Sequence, residues 1–387
     1  MKKILFLLIV LISTQQTQAK IWRVNNNPSL SADVLQAQIL FNTTNTVADP
    51  EAAAGDTIYF EPSTLNYNGF TVNKANIVVI GYGYYLSDNP GLQAMTNNAK
   101  VSNIVFGPTS TGSSISGIES DVDLRADNIT VTRCKSTYIV LNGFSAAATL
   151  RVNKCHIYQI YETGISTALP NGSINLNVEN CIFSGTTSTA GAYGITLGQK
   201  IRGLFRNNTC NYGNAIYCYN FYIANNIFIG NWDFGGIGQS SNNVYRNNLF
   251  SHNNNPANTN ITIQVNNTSP NGGNQFAVDM APIFNGTPDN TFVLGSTYNN
   301  YIANGTFKLE TKFQLKVGSV ATNAGESGNT VGGAPLGMPA CGAYGATDPY
   351  RLAGIPAIPT IYALTIPATV TNGAPTMNIS ISSRSNN

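Results

Sequence analysis

The sequence is poor in charge. Only 10% of its residues are Asp, Glu, Lys or Arg, and it holds two histidines. Nucleic-acid binders carry clustered basic charge, and none is present. There is no G-x-S-x-G elbow, no H-E-x-x-H and no P-loop, so the common hydrolase and nucleotide signatures are missing. There is no Cys-x-x-Cys, which leaves zinc and thiol–disulfide chemistry unsupported. Beyond the first 20 residues no apolar run approaches the roughly 20 residues of a membrane helix. No segment is both long and helix-periodic, which argues against a helical protein. Low charge with 36 glycines is compatible with disorder, but 42% of the residues are hydrophobic and periodically spaced. That pattern predicts a large folded core.

The first residues have their own logic. Lys2 and Lys3 precede the apolar run Ile4–Ile12, and Thr17 and Ala19 sit at cleavage-site positions. Residues 1–19 read as a secretory signal peptide, so the expectation is a secreted, periplasmic or cell-surface protein cut near Ala19. Removing two lysines leaves 18 Lys plus Arg against 18 Asp plus Glu, a neutral mature chain.

What the sequence does contain is a repeat. "VENCIF", "ANNIFIGN" and "RNNLF" share a column occupied by Cys134, Cys155, Cys181, Asn208, Asn226 and Asn248. The spacings are 21, 26, 27, 18 and 22 residues. Self-similarity at this period marks a solenoid. Three positions earlier lie Val131, Val152, Val178, Phe205, Ile223 and Tyr245; two positions later lie Ser136, Ile157, Phe183, Cys210, Phe228 and Phe250. A Gly-Ile pair also recurs, at Gly117-Ile118, Gly164-Ile165, Gly194-Ile195 and Gly236-Ile237, with Ile216 in "GNAI". The short apolar runs carry β-branched and aromatic residues and are bounded by Gly and Asn, so they read as strands.

A coil of about 23 residues with short strands and sharp bends is one turn of a parallel β-helix, and each turn rises by about 4.8 Å. The predicted fold is all-β, a right-handed single-stranded parallel β-helix. Residues 77–325 then make about 11 coils and a rod of roughly 50 Å. Equivalent residues stack, so the second Asn of each "NN" can bond to its copies above and below. A small buried Cys can take the same place. The first Asn (Asn180, Asn207, Asn225, Asn247) is placed at the bend, where positive φ is tolerated. Arg133 and Lys154 hold that position in earlier coils and suit it less well. Cys134, Cys155, Cys181, Cys210 and Cys218 fall on inward positions and read as buried thiols, with a Cys210–Cys218 disulfide as the alternative.

The ends differ. "SADVLQAQILF" (Ser31–Phe41) predicts a short helix with Ser31 as N-cap and Val34, Leu35, Gln38 and Ile39 in helical spacing, a lid on the first coil. Domain boundaries are therefore expected at residues 20–349 for the solenoid with its cap and 350–387 for the tail. Pro356, Pro359, Pro367 and Pro375 break up that tail, and "TIYALTI" and "MNISISS" predict a hairpin that caps the C-terminal end or docks on a partner.

From Trp22 to Tyr350 the chain resembles the right-handed parallel β-helix proteins of the pectin-lyase-like superfamily, secreted bacterial type. The resemblance rests on the "NNIF" coils, on "GDTIYFEP", and on "FQLKVGSVATNAG" followed by "CGAYG". It implies the fold; the superfamily includes lyases, hydrolases, esterases and non-catalytic surface proteins. The hydrolases' Asp cluster with G-H-G and R-x-K is absent, since His156 and His252 lack flanking glycines and read as surface or structural residues. The esterases' Q-D-T-like contexts and the pectate lyases' W-x-D-H and R-x-P-x-x-R patterns are absent too.

Two surface features carry chemistry. "ESDVDLRAD" sets Glu119, Asp121, Asp123 and Arg125 on one strand face, with successive carboxylates about 7 Å apart. A calcium ion on Asp121 and Asp123 beside Arg133 or Lys135 would suit β-elimination on a uronate; a solvated, self-paired face is the other reading. The second feature is aromatic. With Ile216 and Cys218 inward, Tyr217 and Tyr219 point out, near Tyr193 and Trp232, and Gln199 and Gln239 are available for sugar hydroxyls. The leading expectation is non-catalytic binding of a polysaccharide or cell-surface glycan, without nucleic acid, transmembrane segment or obligate cofactor. The alternative is a calcium-assisted polysaccharide lyase.

Overall fold

The structure is a computed structural model describing residues 19–26, 52–184, 193–211, 215–229, 232, 234, 242–251, 272–285, 310–326, 340–345, 348–367, 377 and 379–386. Residues 1–18 of the expected signal peptide (1–19) and the expected lid helix Ser31–Phe41 lie outside these residues.

Strands alternate along the chain between two parallel sheets. The first has ten strands, running from Ile21–Val24 through Ala148–Asn153, Ile174–Glu179 and Ile201–Arg206 to Val244–Arg246. The second runs from Phe70–Val72 through Glu119–Leu124, Lys135–Asn142 and His156–Thr163 to Leu249–Phe250. Tyr193–Thr196 and Ala215–Tyr217 branch from it beside His156–Thr163. Strands adjacent in a sheet belong to successive coils, so the chain winds as a parallel β-helix. Among the described residues there is no α-helix.

Vertical register follows the sequence columns. Trp22, Ile58, Val79, Ile115, Val131, Val152, Val178, Phe205, Ile223 and Tyr245 pair in turn across the first sheet, and all are buried. Across the second sheet Ser136, Ile157, Phe183, Cys210, Phe228 and Phe250 do the same. At the lower end the rings stack, with Phe228–Phe250 and Phe250–Phe276 both at 5.0 Å. Apart from Ser136 at the head of the second, these columns are apolar or aromatic in every coil, and burial of such side chains supplies most of the stability.

Between the two columns lies the polar one. Asn208 N–H donates to Asn226 Oδ1 at 2.8 Å, Asn226 N–H to Asn248 Oδ1 at 3.0 Å, and Asn248 N–H to Asn274 Oδ1 at 3.0 Å. Each amide nitrogen donates back to the carbonyl of the column three residues earlier, for example Asn226 Nδ2 to Phe205 O at 2.9 Å. The thiols continue the ladder with longer bonds, Cys134 N–H to Cys155 Sγ at 3.4 Å and Cys155 N–H to Cys181 Sγ at 3.5 Å. Asn274 extends it beyond the columns read from the sequence.

The preceding residue turns the chain. Arg133, Lys154, Asn180, Asn207, Asn225 and Asn247 have φ between 51° and 58°, and Gly117 and Gly273 continue the same bend at φ 71° and 69°. This separates the Gly-Ile pairs. Gly117-Ile118 belongs to the bend, since Lys135 N–H bonds Ile118 O as His156 N–H bonds Cys134 O. Gly194-Ile195 lies in a strand, with Ile195 between Ile160 and Ile216. They are not one column.

The bend column also holds the returning chain. The described parts of residues 310–358 run back along the flank as a strap. Asn247 donates to Ala324 O, Asn207 to Ala340 O, and Asn180 to Ala343 O and Gly345 O, while Glu326 N–H donates to Asn225 Oδ1. Lys154 pairs with Asp348, and Arg133 donates to Ile355 O at 2.9 Å. The hairpin is present as Thr360–Thr365 and Ser380–Arg384, but it does not sit on the C-terminal end. Ile361 O accepts from Ala94 N–H and Arg384 donates to Leu92 O, which sets the hairpin beside the loop that follows Ile80. Met280, Ile283, Phe284 and Phe313 pack with Ile182, Ile227, Leu249, Cys341 and Tyr350 in a second apolar cluster, separate from the main core.

Candidate functional site

The outer face of the second sheet collects the polar and aromatic side chains. On its inner side Ile104, Val122, Ile139, Ile160, Ile195 and Ile216 stack. The residue after each therefore points outward, giving the row Val105, Asp123, Val140, Tyr161, Thr196 and Tyr217. Two residues before Val140, Tyr138 is 37% exposed. Its ring meets Tyr161 at 5.8 Å and Tyr158 at 6.1 Å, both edge to face. Three rings thus interlock on the surface, a geometry favoured by the aromatic quadrupole.

The acidic patch is assembled but occupied. Glu119, Asp121 and Asp123 are half-buried on one face, as alternation requires, while Val122 and Leu124 are buried. Asp121 Oδ1 accepts from the backbone N–H groups of Thr137 and Tyr138, both at 3.0 Å. Asp123 takes Arg125 Nη2 at 2.6 Å and Asn142 Nδ2 at 3.1 Å. The structure does not bring Arg133 or Lys135 to this pair. Arg133 is buried in the bend under the strap, and Lys135 Nζ lies 3.0 Å from Glu119 Oε1 and 4.5 Å from the Tyr85 ring centroid. Among the described residues no three His, Cys, Asp or Glu stand together as a metal-binding group.

The predicted aromatic strip is redrawn. Tyr217 faces outward and is half-buried. Tyr219 is buried at 8% exposure and Trp232 at 1%, so neither belongs to the face. Trp232 sits edge-on to Phe228 at 5.7 Å and donates Nε1–H to Ile229 O. The backbone of Tyr193 pairs with Ala215. Gln199 is exposed and accepts from Asn171 Nδ2, and Gln239 lies outside the described residues. Tyr138, Tyr158 and Tyr161 take the place of the buried rings. Their signal was available: Tyr158 follows inward Ile157, and Tyr161 follows inward Ile160.

His156 is buried against the Tyr85 ring at 5.6 Å. Burial, with the Lys135 charge added, pushes its imidazole down to about 3, so it is neutral at physiological pH and structural in role. His252 lies outside the described residues. The Glu162 carboxyl is pushed up by burial and held back by the Gly198 N–H.

All six cysteines are buried thiols, and none is in a disulfide, so no Cys210–Cys218 bridge forms. Burial pushes the thiols of Cys134, Cys155, Cys210 and Cys218 well up, and that of Cys341 up to about 12. Thiolates are the reactive form. The native protein is therefore expected to give no colour with a thiol reagent at pH 8, and to expose all six thiols on unfolding in denaturant. A rapid reaction of two or more thiols in the native state would contradict the packing.

The fold is that of a parallel β-helix protein with an aromatic outer face. The chain matches no protein-family model and no curated protein in sequence comparison. Among the described residues no helix is long and apolar enough to cross a membrane.

Proposed function

We propose that this chain is an exported parallel β-helix protein of the pectin-lyase-like kind, binding polysaccharide or cell-surface glycan on the outer face of the second sheet without cleaving it. The observation that carries the reading is the interlocked group Tyr138, Tyr158 and Tyr161, with Tyr138 exposed at its centre. Fixed rings present flat apolar faces to sugar rings at small entropic cost. Gln159 pairs with Tyr138 on the neighbouring strand and can serve hydroxyl groups. Catalytic elimination has less support, because Asp121 and Asp123 already hold backbone, Arg125 and Asn142 donors.

Retention of the purified protein on insoluble or gel-embedded polysaccharides tests the reading. Each ring contact is worth about 1 kcal/mol, so Tyr138→Ala with Tyr161→Ala is expected to weaken binding roughly 10- to 30-fold. Tyr219→Phe, a change inside the core, is expected to leave it intact. Unchanged retention of the double variant on every polysaccharide that the parent binds, or no binding by the parent at all, would remove the proposal.

A further inference from the structure

Glu310 is the first described residue of the strap, and its side chain is fully buried. Three segments converge on it. Asn89 Nδ2 donates to Oε1 at 2.9 Å from the loop after Ile80. Ala353 N–H donates to Oε1 at 2.6 Å and the Tyr350 hydroxyl to Oε2 at 2.7 Å, both from the far end of the strap. The Tyr350 oxygen is 2.6 Å from the Tyr84 hydroxyl, and Tyr344 donates to the Glu310 carbonyl at 2.9 Å. Each hydrogen-bond partner of the carboxyl is neutral. The titratable groups that act on it are Tyr84, Tyr85 and Asp88 on the loop and Tyr344 and Tyr350 on the strap, and the cations nearest in sequence to these segments are Arg351 on the strap and Lys312 two residues along its own segment.

We propose that Glu310 is a pH-sensitive latch, which pins the strap to the flank of the solenoid when protonated and loosens it when ionised. The oxygen chain Glu310–Tyr350–Tyr84 can run in either direction. With the carboxylate ionised, Tyr84 donates to Tyr350 and Tyr350 to Glu310. With it protonated, Glu310 donates to Tyr350 and Tyr350 to Tyr84. Both states keep the two bonds of the chain; the protonated state turns the Tyr84 hydrogen away from Tyr350, and the ionised state holds a buried negative charge facing neutral partners, with Asp88 adding repulsion.

The shift supports the direction. Burial raises the Glu310 carboxyl from the usual 4.5 to about 7, against the pull of its three donors. A folded-state value above the unfolded one contributes stability that is complete below about 4.5 and is lost as pH rises through about 7. The open-to-closed ratio of the strap is therefore expected to rise on the order of 50- to 100-fold between pH 5 and pH 8. Tyr84, Tyr344 and Tyr350 are pushed up by burial and do not titrate there, and His156 titrates far below.

Hydrogen exchange of the intact protein, corrected for intrinsic rates, reads the latch. Peptides covering residues 340–358 are expected to lose protection tens-fold from pH 5.5 to 8.5, while those covering residues 148–179 do not. Glu310→Gln, a neutral isostere, is expected to abolish the pH dependence. Tyr350→Phe removes a donor to the carboxylate and is expected to move the midpoint upward, which keeps the test open if Glu310→Gln folds poorly. Protection that is flat with pH in the parent would overturn the proposal. So would pH dependence that survives Glu310→Gln, or a midpoint unmoved by Tyr350→Phe.

Discussion

Replacing Asn226 by Leu is expected to lower stability by about 3–4 kcal/mol, read as a fall in the denaturation midpoint. Asn226 closes four bonds in the middle of the ladder. Its Oδ1 accepts from Asn208 N–H and Asn208 Nδ2, and its Nδ2 donates to Phe205 O and Asn248 Oδ1. Leu fills a similar volume but leaves the Asn208 N–H without its acceptor and Phe205 O without this donor, deep between two apolar columns. Each buried group stranded in this way costs about 1–3 kcal/mol. Cys is the informative contrast. In the upper coils the Cys155 and Cys181 sulfurs accept the same backbone N–H, and their thiols reach the carbonyls of Asn153 and Glu179. Asn226→Cys is therefore expected to cost less than half as much as Asn226→Leu. Equal losses for the two would mean that the column is held by packing alone, and the ladder would have no energetic role.

The solenoid was legible because its columns are local and periodic. An Asn or Cys, an apolar residue three before and another two after recur at nearly constant spacing, and stacking follows once each coil rises by one strand. The strap was not legible. Its partners lie far apart in sequence, such as Arg133 and Ile355, and no period links them. Two residues did mark it. Arg133 and Lys154 have φ of 53° and 54°, a conformation that costs a residue with a Cβ about 1–2 kcal/mol and that Asn tolerates better. The structure shows what offsets that cost: both long side chains reach the strap, at Ile355 O and Asp348. A poor fit to a local preference was the sign of a distant contact.

The outer face was legible in part, and the misses have one cause. Alternation places Tyr217 outward correctly because it still lies within a paired strand, Ala215–Tyr217, next to inward Ile216. Tyr219 lies beyond that strand, and Trp232 beyond Ile227–Ile229, where side chains no longer alternate. Parity counted past a strand end therefore carries no information. Within His156–Thr163 it does, apart from a register step, and Tyr158 and Tyr161 follow their inward isoleucines. The acidic patch shows the reverse limit. The sequence places its carboxylates on one face, but whether they hold an ion or each other's neighbours depends on Asn142 and on the backbone of the next coil, which alternation cannot report.

Gly354→Ala is expected to release the strap, with a loss of about 3–5 kcal/mol. Gly354 lies at φ +52°, where the strap crosses between the loop after Ile80 and the bend. A Cβ there would stand 2.1 Å from the Tyr84 ring and 2.5 Å from Arg133 O. The ring is pinned by its hydroxyl contact to Tyr350, and the carbonyl belongs to a coil, so neither yields readily. Gly143→Ala is the control for backbone strain alone. It has φ +68° and nothing within 4 Å of the added carbon, so its expected cost is about 1 kcal/mol. The hairpin supplies the second control. Its Ile361, Leu364, Ile366, Ile379 and Ile381 are all exposed, and among the described residues it hydrogen-bonds the solenoid and its loop at Leu92, Ala94 and Arg133. Removal of residues 359–387 is accordingly expected to leave the midpoint nearly unchanged, whereas Gly354→Ala lowers it and strips hydrogen-exchange protection from residues 340–358. If the truncation proves as damaging as the substitution, the hairpin is what holds the strap down, and Gly354 only marks where the chain passes.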